Sequence, residues 1–516
     1  MRTKSIICIL AASLTLASCN DWLNVTSSNQ VSDARLFSTR TGFLEALSGI
    51  YIDMASTDNY GMNDTWYAMD LCCMPYASTS NNYYTDLQEH RYTNSRIYPI
   101  IHSIWQGGYN VIANVNKTLA ELEAHPEIVT DELERNLIHG ELLGIRAYMH
   151  FDLMKMFGAS SWTGEKASLL TIPYVRTYSK DPEVQRSYTA TLELLHEDIA
   201  AALVLLEKDP VRGEVSSDFQ EGPNVDGYWN NRNKHLNYIA LKALLARVLV
   251  WEDKWDEAAV AAQEVIDEAF ACSLVSWFDA EEMVKKTSSD LVDWTMSTEH
   301  IFCLESTDMY NTVTINFAAG STSTDASIKF DTSDVDGWLF PKALIILGDL
   351  SPVEDVRGPA LMLSYTNTGY AINKYYTSTS YPTEYRNKIP MIRLPEMYYI
   401  IAEKALRDDD AKAFYDALNA VRSHRGISAP LEESAYSDDS VLSPSEMRWQ
   451  GGSYQLYAEY LKEFVGEGQA FYFIKRFMPY SMEVKHTSVS YIYTDWRTLT
   501  FPYPVEETTY GRVQEL

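Results

Sequence analysis

The chain has no run of apolar residues long enough to span a bilayer core of about 30 Å; its one greasy stretch, Ile6 to Leu16, is too short. Basic residues are scarce: 42 Lys and Arg face 71 Asp and Glu, for a formal net charge of −29. Such an acidic surface argues against nucleic acid as a partner and against electrostatic docking on anionic lipid. Cysteine is also scarce, six in 516 residues, with no CxxC and no His/Cys spacing of a zinc site. GxSxG, HExxH, Walker A and GxGxxG patterns are absent. The ten histidines are scattered, and His139 and His150 stand three helical turns apart, which is no metal pair. Among so many acids, two carboxylates at glycosidase separation arise by chance and are no sign of hydrolysis. These absences predict a protein that is not an enzyme and that carries no metal or cofactor.

What is present begins at the N-terminus. Arg2 and Lys4 precede the apolar stretch, and small residues follow it, the outline of a secretory signal over residues 1–18. Leu16-Ala17-Ser18-Cys19 resembles a bacterial lipobox, in which the cysteine becomes the first mature residue and its thiol is acylated as a thioether. Several acyl chains at roughly 0.8 kcal/mol per CH2 would hold the protein on a membrane surface. Losing Arg2 and Lys4 with the signal moves the net charge from −29 to −31. Residues 19–33 are polar and suit a lipidated tether, leaving 34–516 as one domain. Of the cysteines that remain, Cys72, Cys73, Cys272 and Cys303, a Cys272–Cys303 bridge and two free thiols are both open readings in an oxidising compartment.

The pattern that dominates the mature chain is helical, and it comes in pairs. In "TDELERNLIHGELLGIRAYMHFDLMKMFG", Ile138, Leu142, Ile145, Met149, Leu153 and Met156 recur every three or four residues and form one stripe. Thr130 is the expected N-cap and Gly158 the stop, with the helix running from Asp131 to Phe157. It pairs with "IWQGGYNVIANVNKTLAELEA". A second pair joins "TATLELLHEDIAAALVLLEK" to "KHLNYIALKALLARVLVWED". His235 to Glu268 spans 34 residues as helix–turn–helix with a small-residue face, the length of a tetratricopeptide unit. A third region, "LPEMYYIIAEKALRDDDAKAFYDALNAVRSHRG", repeats the plan, with Pro395 near a start and Gly426 as a stop. Its acidic turn, Asp408–Asp410, is either a calcium-binding cluster or a solvated turn. At "SPSE", Ser443 and Glu446 form a capping box, and Gly451-Gly452 is expected to interrupt the helix that follows. The predicted fold is mainly α, a tetratricopeptide-like scaffold of about four helix pairs. Residues 271–390, rich in Ser, Thr, Asp and aromatics, are predicted to be long loops and short strands.

Aromatic content is high, with 35 tyrosines and 12 tryptophans. Each offers an apolar face and a polar edge, which suits carbohydrate or peptide surfaces, although most will pack in the core.

The ordered set of the lipobox, "WQGGYNVIANVN", "GELLGIRAYMHFDLMKMFG", "ALLARVLVWEDKWDEAAVAAQEVID", "IRLPEMYYIIAEKA", "ALNAVRSHRG" and "FPYPVEE" resembles the SusD/RagB family, outer-membrane lipoproteins of Bacteroidetes. The resemblance spans essentially the whole mature chain. It implies a glycan-binding lipoprotein on the cell exterior that hands its cargo to a SusC-like TonB-dependent transporter. The family's C-terminal motif, roughly E-G-x-R-x-x-D-L-x-R, is only partly kept: Glu467, Gly468 and Arg476 match, but Ala470 replaces the arginine and Phe473-Ile474 the Asp-Leu. The resemblance makes that segment an ion-paired tie for the C-terminal helix, and its departure here implies that the tie is lost.

The resemblance also implies where ligand contacts lie, by region. The loop before the first long helix supplies Trp66, Tyr67, Tyr76, Tyr83 and Tyr84, with Asn81, Asn82, Asp86 and Arg91 as polar partners. The middle region adds Trp294, Tyr310 and Trp338. Of these, Tyr83-Tyr84 is the foremost pair, flanked by "STSNN" and "TD". Three other functions fit the same sequence: a peptide-binding RagB-like relative, a lipid-anchored glycoside hydrolase, and an assembly scaffold with no small ligand.

Overall fold

The computed structural model describes residues 34–77, 79–160, 166–213, 215–286, 288, 291–317, 327–340, 355–359, 361–366, 369–432, 444–477, 483–486, 489–492 and 496–510. Cys19, the signal segment, the tether and Ser443 lie outside them.

The scaffold is a continuous stack of helices. Helix α1 (Arg40–Met54) is followed by two short helices, α2 (Ala68–Leu71) and α3 (Asn82–Gln88). The long helices α4 (Tyr98–Ala124) and α5 (Glu132–Phe157) come next. A two-stranded ribbon of β1 (Leu170–Pro173) and β2 (Gln185–Ser187) leads into α6 (Tyr188–Leu205). Helices α7 (Tyr238–Trp251) and α8 (Trp255–Ala271) form the pair predicted from the 34-residue unit. In the stack α1 lies on α4, α4 on α5, α5 on α6, α6 on α7 and α7 on α8.

Helix α5 is covered along most of its length because it sits between α4 and α6. Its start differs by one residue from expectation. Asp131, with an extended backbone, accepts from the Glu134 amide at 2.9 Å and is the N-cap in place of Thr130. One buried ion pair inside the stack is bidentate. Arg146 on α5 grips Asp198 on α6 with two bonds of 2.7 Å.

The irregular middle holds β3 (His300–Glu305), helix α9 (Met309–Asn316), and the hairpin β4 (Leu363–Thr366) and β5 (Gly369–Ile372). Strand β6 (Lys388–Arg393) pairs antiparallel with β3, with shifts of register that bend the ladder. It runs directly into α10 (Leu394–Arg407), which packs on α8 and on α11 (Ala411–Ser423). Arg247 of α7 pins this return: its Nε and Nη2 each donate to a Glu396 oxygen at 2.6 Å, and Nη2 also donates to the Met391 carbonyl at 2.7 Å. Asp410 caps α11 through the Ala413 amide at 3.0 Å, and Lys404 pairs with Asp408, so the acidic turn is a capped interhelix turn. The described thiols of Cys72, Cys73, Cys272 and Cys303 are all free, which excludes the Cys272–Cys303 bridge.

Two expectations for the C-terminal part are corrected. Helix α12 (Pro444–Glu463) runs straight through Gly451-Gly452. A Cβ on Gly452 would stand 2.6 Å from Leu406 Cδ1, so this glycine permits close approach to α10 and does not break the helix. The tie of α13 (Gln469–Phe477) also survives the altered motif. Glu467 is held by Arg393 Nε at 2.9 Å and by Lys374, and Arg476 pairs with Glu403. Lys475 adds bonds to the carbonyls of Lys155 at 2.7 Å and Gly158 at 2.9 Å. Behind these lies a buried ion network: Arg425 bridges Glu299 and Glu463, and Arg357 joins Asp355 to Glu459, each at 2.6–2.7 Å.

Candidate functional site

Three segments far apart in sequence meet beside α12 and α13. The loop entering α2 turns back on itself, with the Trp66 indole donating to the Gly61 carbonyl at 3.2 Å. Asp70 then locks α2 to the turn between α12 and α13. It accepts from the amides of Gly466 at 2.5 Å and Gly468 at 3.0 Å, and from the Tyr76 hydroxyl at 3.0 Å. Both glycines have positive φ, +81° and +73°, and a Cβ on Gly468 would lie 2.5 Å from the Asp64 carbonyl. Tyr76 forms a single antiparallel bridge with Phe330, and Phe330 another with Tyr370 of β5.

On this base stands a ladder of rings. Phe317 and Trp66 are 5.1 Å apart, Trp66 and Tyr67 5.8 Å, and Tyr67 and Tyr84 5.8 Å, the last two edge to face. Helix α3 begins where Asn81 accepts from the Tyr83 amide at 3.0 Å. Tyr84 points inward from it and donates to Asn316 Oδ1 of α9 at 2.5 Å. One position earlier, Tyr83 points out and is 46% exposed. Tyr310, on the other end of α9, is half-buried and lies 5.5 Å from Tyr376. Tyr365 at the β4–β5 hairpin is 69% exposed, with Tyr370 against it at 5.6 Å.

The residues singled out from sequence therefore divide. Tyr83, Asn82 and Arg91 are exposed, and Asn81 and Tyr310 half-exposed. Trp66 is fully buried, and Tyr67 and Tyr84 are 8% and 4% exposed. They pack as support beneath the surface, because the ladder encloses their ring faces. Trp294, by contrast, belongs to a separate small core with Phe278, Met283 and Met362, where its indole donates to Tyr381 at 2.8 Å. Asp86 is buried and bonded to Arg91 at 3.0 Å and Arg96 at 2.7 Å. Burial pushes its carboxyl up, but the Arg96 and Arg91 guanidinia outweigh that and hold it below the usual carboxylate range. It is occupied in fixing the end of α3. The side chain of Trp338, in the helical turn Val335–Leu339, lies outside the described residues. Tyr365 and Tyr376 are not among the residues expected from sequence; Tyr376 lies in the aromatic cluster "AINKYYTSTSYPTEY", whereas Tyr365 stands outside it.

Two concavities lie elsewhere. A small internal cavity of about 40 Å³ is bordered by Lys155, Arg247, Glu396 and Arg476, whose charges are already paired. A shallow groove of about 530 Å³ runs between the turn at 210–213 and Ala271–Cys272. His150 is buried and stacked on Tyr174 at 3.9 Å, and burial pushes its imidazole down to about 3. It accepts from the Val175 amide at 2.9 Å and is structural. Among the described residues no cluster of three His, Cys, Asp or Glu side chains is arranged to hold a metal ion. No helix of the described residues is long and apolar enough to cross a membrane.

Residues 21–219 match a family model described as starch-binding and associating with the outer membrane, SusD-like. Residues 359–507 match that of the SusD family. The chain belongs to the SusD/RagB family. The fold is similar to that of a SusD superfamily protein from Bacteroides thetaiotaomicron VPI-5482, with a TM-score of 0.66 at 20% identity, covering 92% of this chain and 99% of that one. A putative sugar binding protein from Bacteroides vulgatus ATCC 8482 superposes with a TM-score of 0.65 at 20% identity, over 93% and 98% of the two chains. A SusD-like carbohydrate binding protein from the same organism gives 0.63 at 16% identity, over 93% and 99%. No curated protein matches the chain. The SusD fold thus accounts for the whole described scaffold, including the pairs α4/α5, α7/α8 and α10/α11.

Proposed function

We propose that this SusD/RagB protein is a cell-surface lipoprotein that captures an oligo- or polysaccharide and delivers it to a SusC-like TonB-dependent transporter. In this reading Cys19 carries the acyl anchor, and the protein sits on the outer membrane facing the exterior. The observation that carries the ligand assignment is the exposed ring of Tyr83 above a buried, hydrogen-bonded aromatic ladder, with Tyr310 on the adjoining helix. A sugar ring presents an apolar C–H face to such a platform and its hydroxyls to polar edges. Asn81, Asn82 and Arg91 are polar groups near Tyr83 in the sequence. Solved relatives named as a sugar binding protein and a carbohydrate binding protein support the same class of ligand.

The protein acts here by binding and not by catalysis. The buried carboxylates Asp198, Glu459 and Glu463 are engaged by arginines that hold them below the usual carboxylate range, which makes them unsuited to act as general acids.

The test is affinity electrophoresis of the soluble form, starting at Asn20, against plant, host and microbial polysaccharides, with a peptide digest as control. Retention by a glycan that Tyr83→Ala/Tyr310→Ala abolishes, with an unchanged unfolding midpoint, is the expected result. Retention that survives the double variant moves the site elsewhere. Silence towards every glycan with a response to peptides sinks the assignment.

A further inference from the structure

Most buried tyrosine hydroxyls among the described residues have hydrogen-bond partners, the enclosed hydroxyl of Tyr472 being an exception. Those of Tyr51, Tyr60, Tyr76 and Tyr174 donate to the carboxylates of Glu141, Asp152, Asp70 and Asp198 at 2.7–3.0 Å. Those of Tyr92, Tyr109, Tyr188, Tyr375 and Tyr503 donate to backbone carbonyls. Tyr67 differs. Its ring is clamped edge to face between Trp66 and Tyr84, yet its hydroxyl makes no hydrogen bond among the described residues. A hydroxyl held this rigidly without a protein partner is a donor left for something else.

Its surroundings define what that is. Among the described residues, Tyr84 and Tyr83 are the titratable groups that act on the Tyr67 phenol, and Asn81 is the neighbour that acts on Tyr84. No ionised side chain of the described residues bears on either. Burial raises both phenols, Tyr84 to about 12, so each remains a neutral donor at any physiological pH. The cation nearest in sequence, Arg91, is engaged by Asp86 and Glu89. An anionic sugar settling here would shed water without gaining a counter-charge, and the net charge of −29 would repel it from a distance.

We propose that the ligand is a neutral glycan, free of uronate and sulfate, and that the Tyr67 hydroxyl donates to one of its oxygens at the floor of the Tyr83 platform. This rests on the glycan-capture reading and narrows it to a substrate class and a specificity-determining residue.

The experiment compares neutral polysaccharides with uronate-containing and sulfated ones at low salt, using the mature chain and its Tyr67→Phe variant. Tyr67→Phe removes one oxygen that no protein group uses, so its unfolding midpoint should equal that of the parent. Its affinity for the retained neutral glycan should fall roughly 5- to 50-fold, the usual loss when a hydrogen-bonded ligand hydroxyl is left unpaired. Parent-like affinity in Tyr67→Phe, with Tyr83→Ala still impaired, overturns the floor contact while the capture reading stands. Preferential retention of a uronate or sulfated polysaccharide overturns the neutral class. Absence of binding to any glycan overturns the capture reading itself and this proposal with it.

Discussion

Asp70 is where the helical scaffold takes hold of the loop that carries Trp66 and Tyr67, and its pH dependence can be worked out. It is fully buried, and burial pushes its carboxyl up to about 7 in spite of three hydrogen bonds and the nearby Lys374 ammonium. Tyr76, Cys72, Cys73 and Tyr375 are the other titratable groups around it. An aspartate in the unfolded chain titrates near 3.9, so the folded state holds this proton about 3 units more tightly, roughly 4 kcal/mol. The folded pKa is raised, so this contribution is full below about pH 4, fades as pH rises towards 7, and is gone above it. Asp293, pushed up to about 6 by burial, acts in the same direction, while Glu141 goes the other way. Burial raises Glu141, but Arg232 and His235 outweigh it and hold the carboxyl down at about 2. The absolute stability curve therefore mixes opposing slopes, and the informative quantity is a difference. Asp70→Asn is neutral throughout, so the stability gap between parent and variant should shrink by about 4 kcal/mol between pH 4 and pH 8. At about 2.1 cal/mol/K per residue the unfolding entropy of a chain this size is about 1 kcal/mol/K, so the gap in Tm should change by about 4 °C. Calorimetry of both proteins across that range reads it directly. A gap constant to within about 1 kcal/mol would mean that the three donors keep Asp70 ionised as in water, and the burial argument would be refuted.

Other consequences follow from single side chains. Arg425→Met strips Glu299 and Glu463 of their shared guanidinium in a fully buried site, and guanidinium-chloride unfolding should show a loss of about 3–5 kcal/mol. Adding Glu299→Leu should return part of it, because the orphaned charge is then removed as well. Gly468→Ala forces a side chain into a backbone at φ +73° and against the Asp64 carbonyl, and should lower stability by about 1–3 kcal/mol in the same assay. In the native soluble form starting at Asn20, an aromatic disulfide reagent should titrate one thiol quickly, that of half-buried Cys272. Cys72, Cys73 and Cys303 should react only on unfolding, since they are buried and burial pushes the Cys303 thiol up to about 11 and that of Cys72 to about 12.

The helices were legible because their signal is local: a stripe repeating every three or four residues needs no knowledge of its partner. The misreadings share the opposite property. Gly451-Gly452 carries the local mark of a break, and only the position of Leu406 on another helix reveals a close approach. The altered C-terminal motif looked like a lost tie because the partners of Glu467 and Arg476, namely Arg393 and Glu403, lie more than 70 residues away. Within the proposed platform, burial was not legible residue by residue. Tyr83 and Tyr84 are chemically identical and adjacent, but successive residues on a helix point about 100° apart, so one meets solvent while the other bonds to Asn316. Nothing in the pair of letters says which.

The same long-range ties explain how irregular chain can form a definite surface. Loops with little secondary structure of their own usually lack the hydrogen bonds that fix a side chain. Here each contributing segment is bonded to another that is remote in sequence. Tyr84 is tied to Asn316, Tyr76 to Phe330 by backbone pairing, Tyr375 to the Gly466 carbonyl at 2.9 Å, and Asp70 to the amides of Gly466 and Gly468. The turn at 466–468 is in turn clamped through Glu467 to Arg393 and Lys374, and so to the buried ion network. The exposed tyrosines, Tyr83 and Tyr365, project from this frame without contributing to those ties. Substitution at these tips can change what is bound while leaving the frame intact, whereas loss of Asp70 or Glu467 would release several segments at once. In the proposed reading affinity and fold thereby fall on different residues, which is why a Tyr83 variant should lose ligand at constant stability and an Asp70 variant should show its effect first in unfolding.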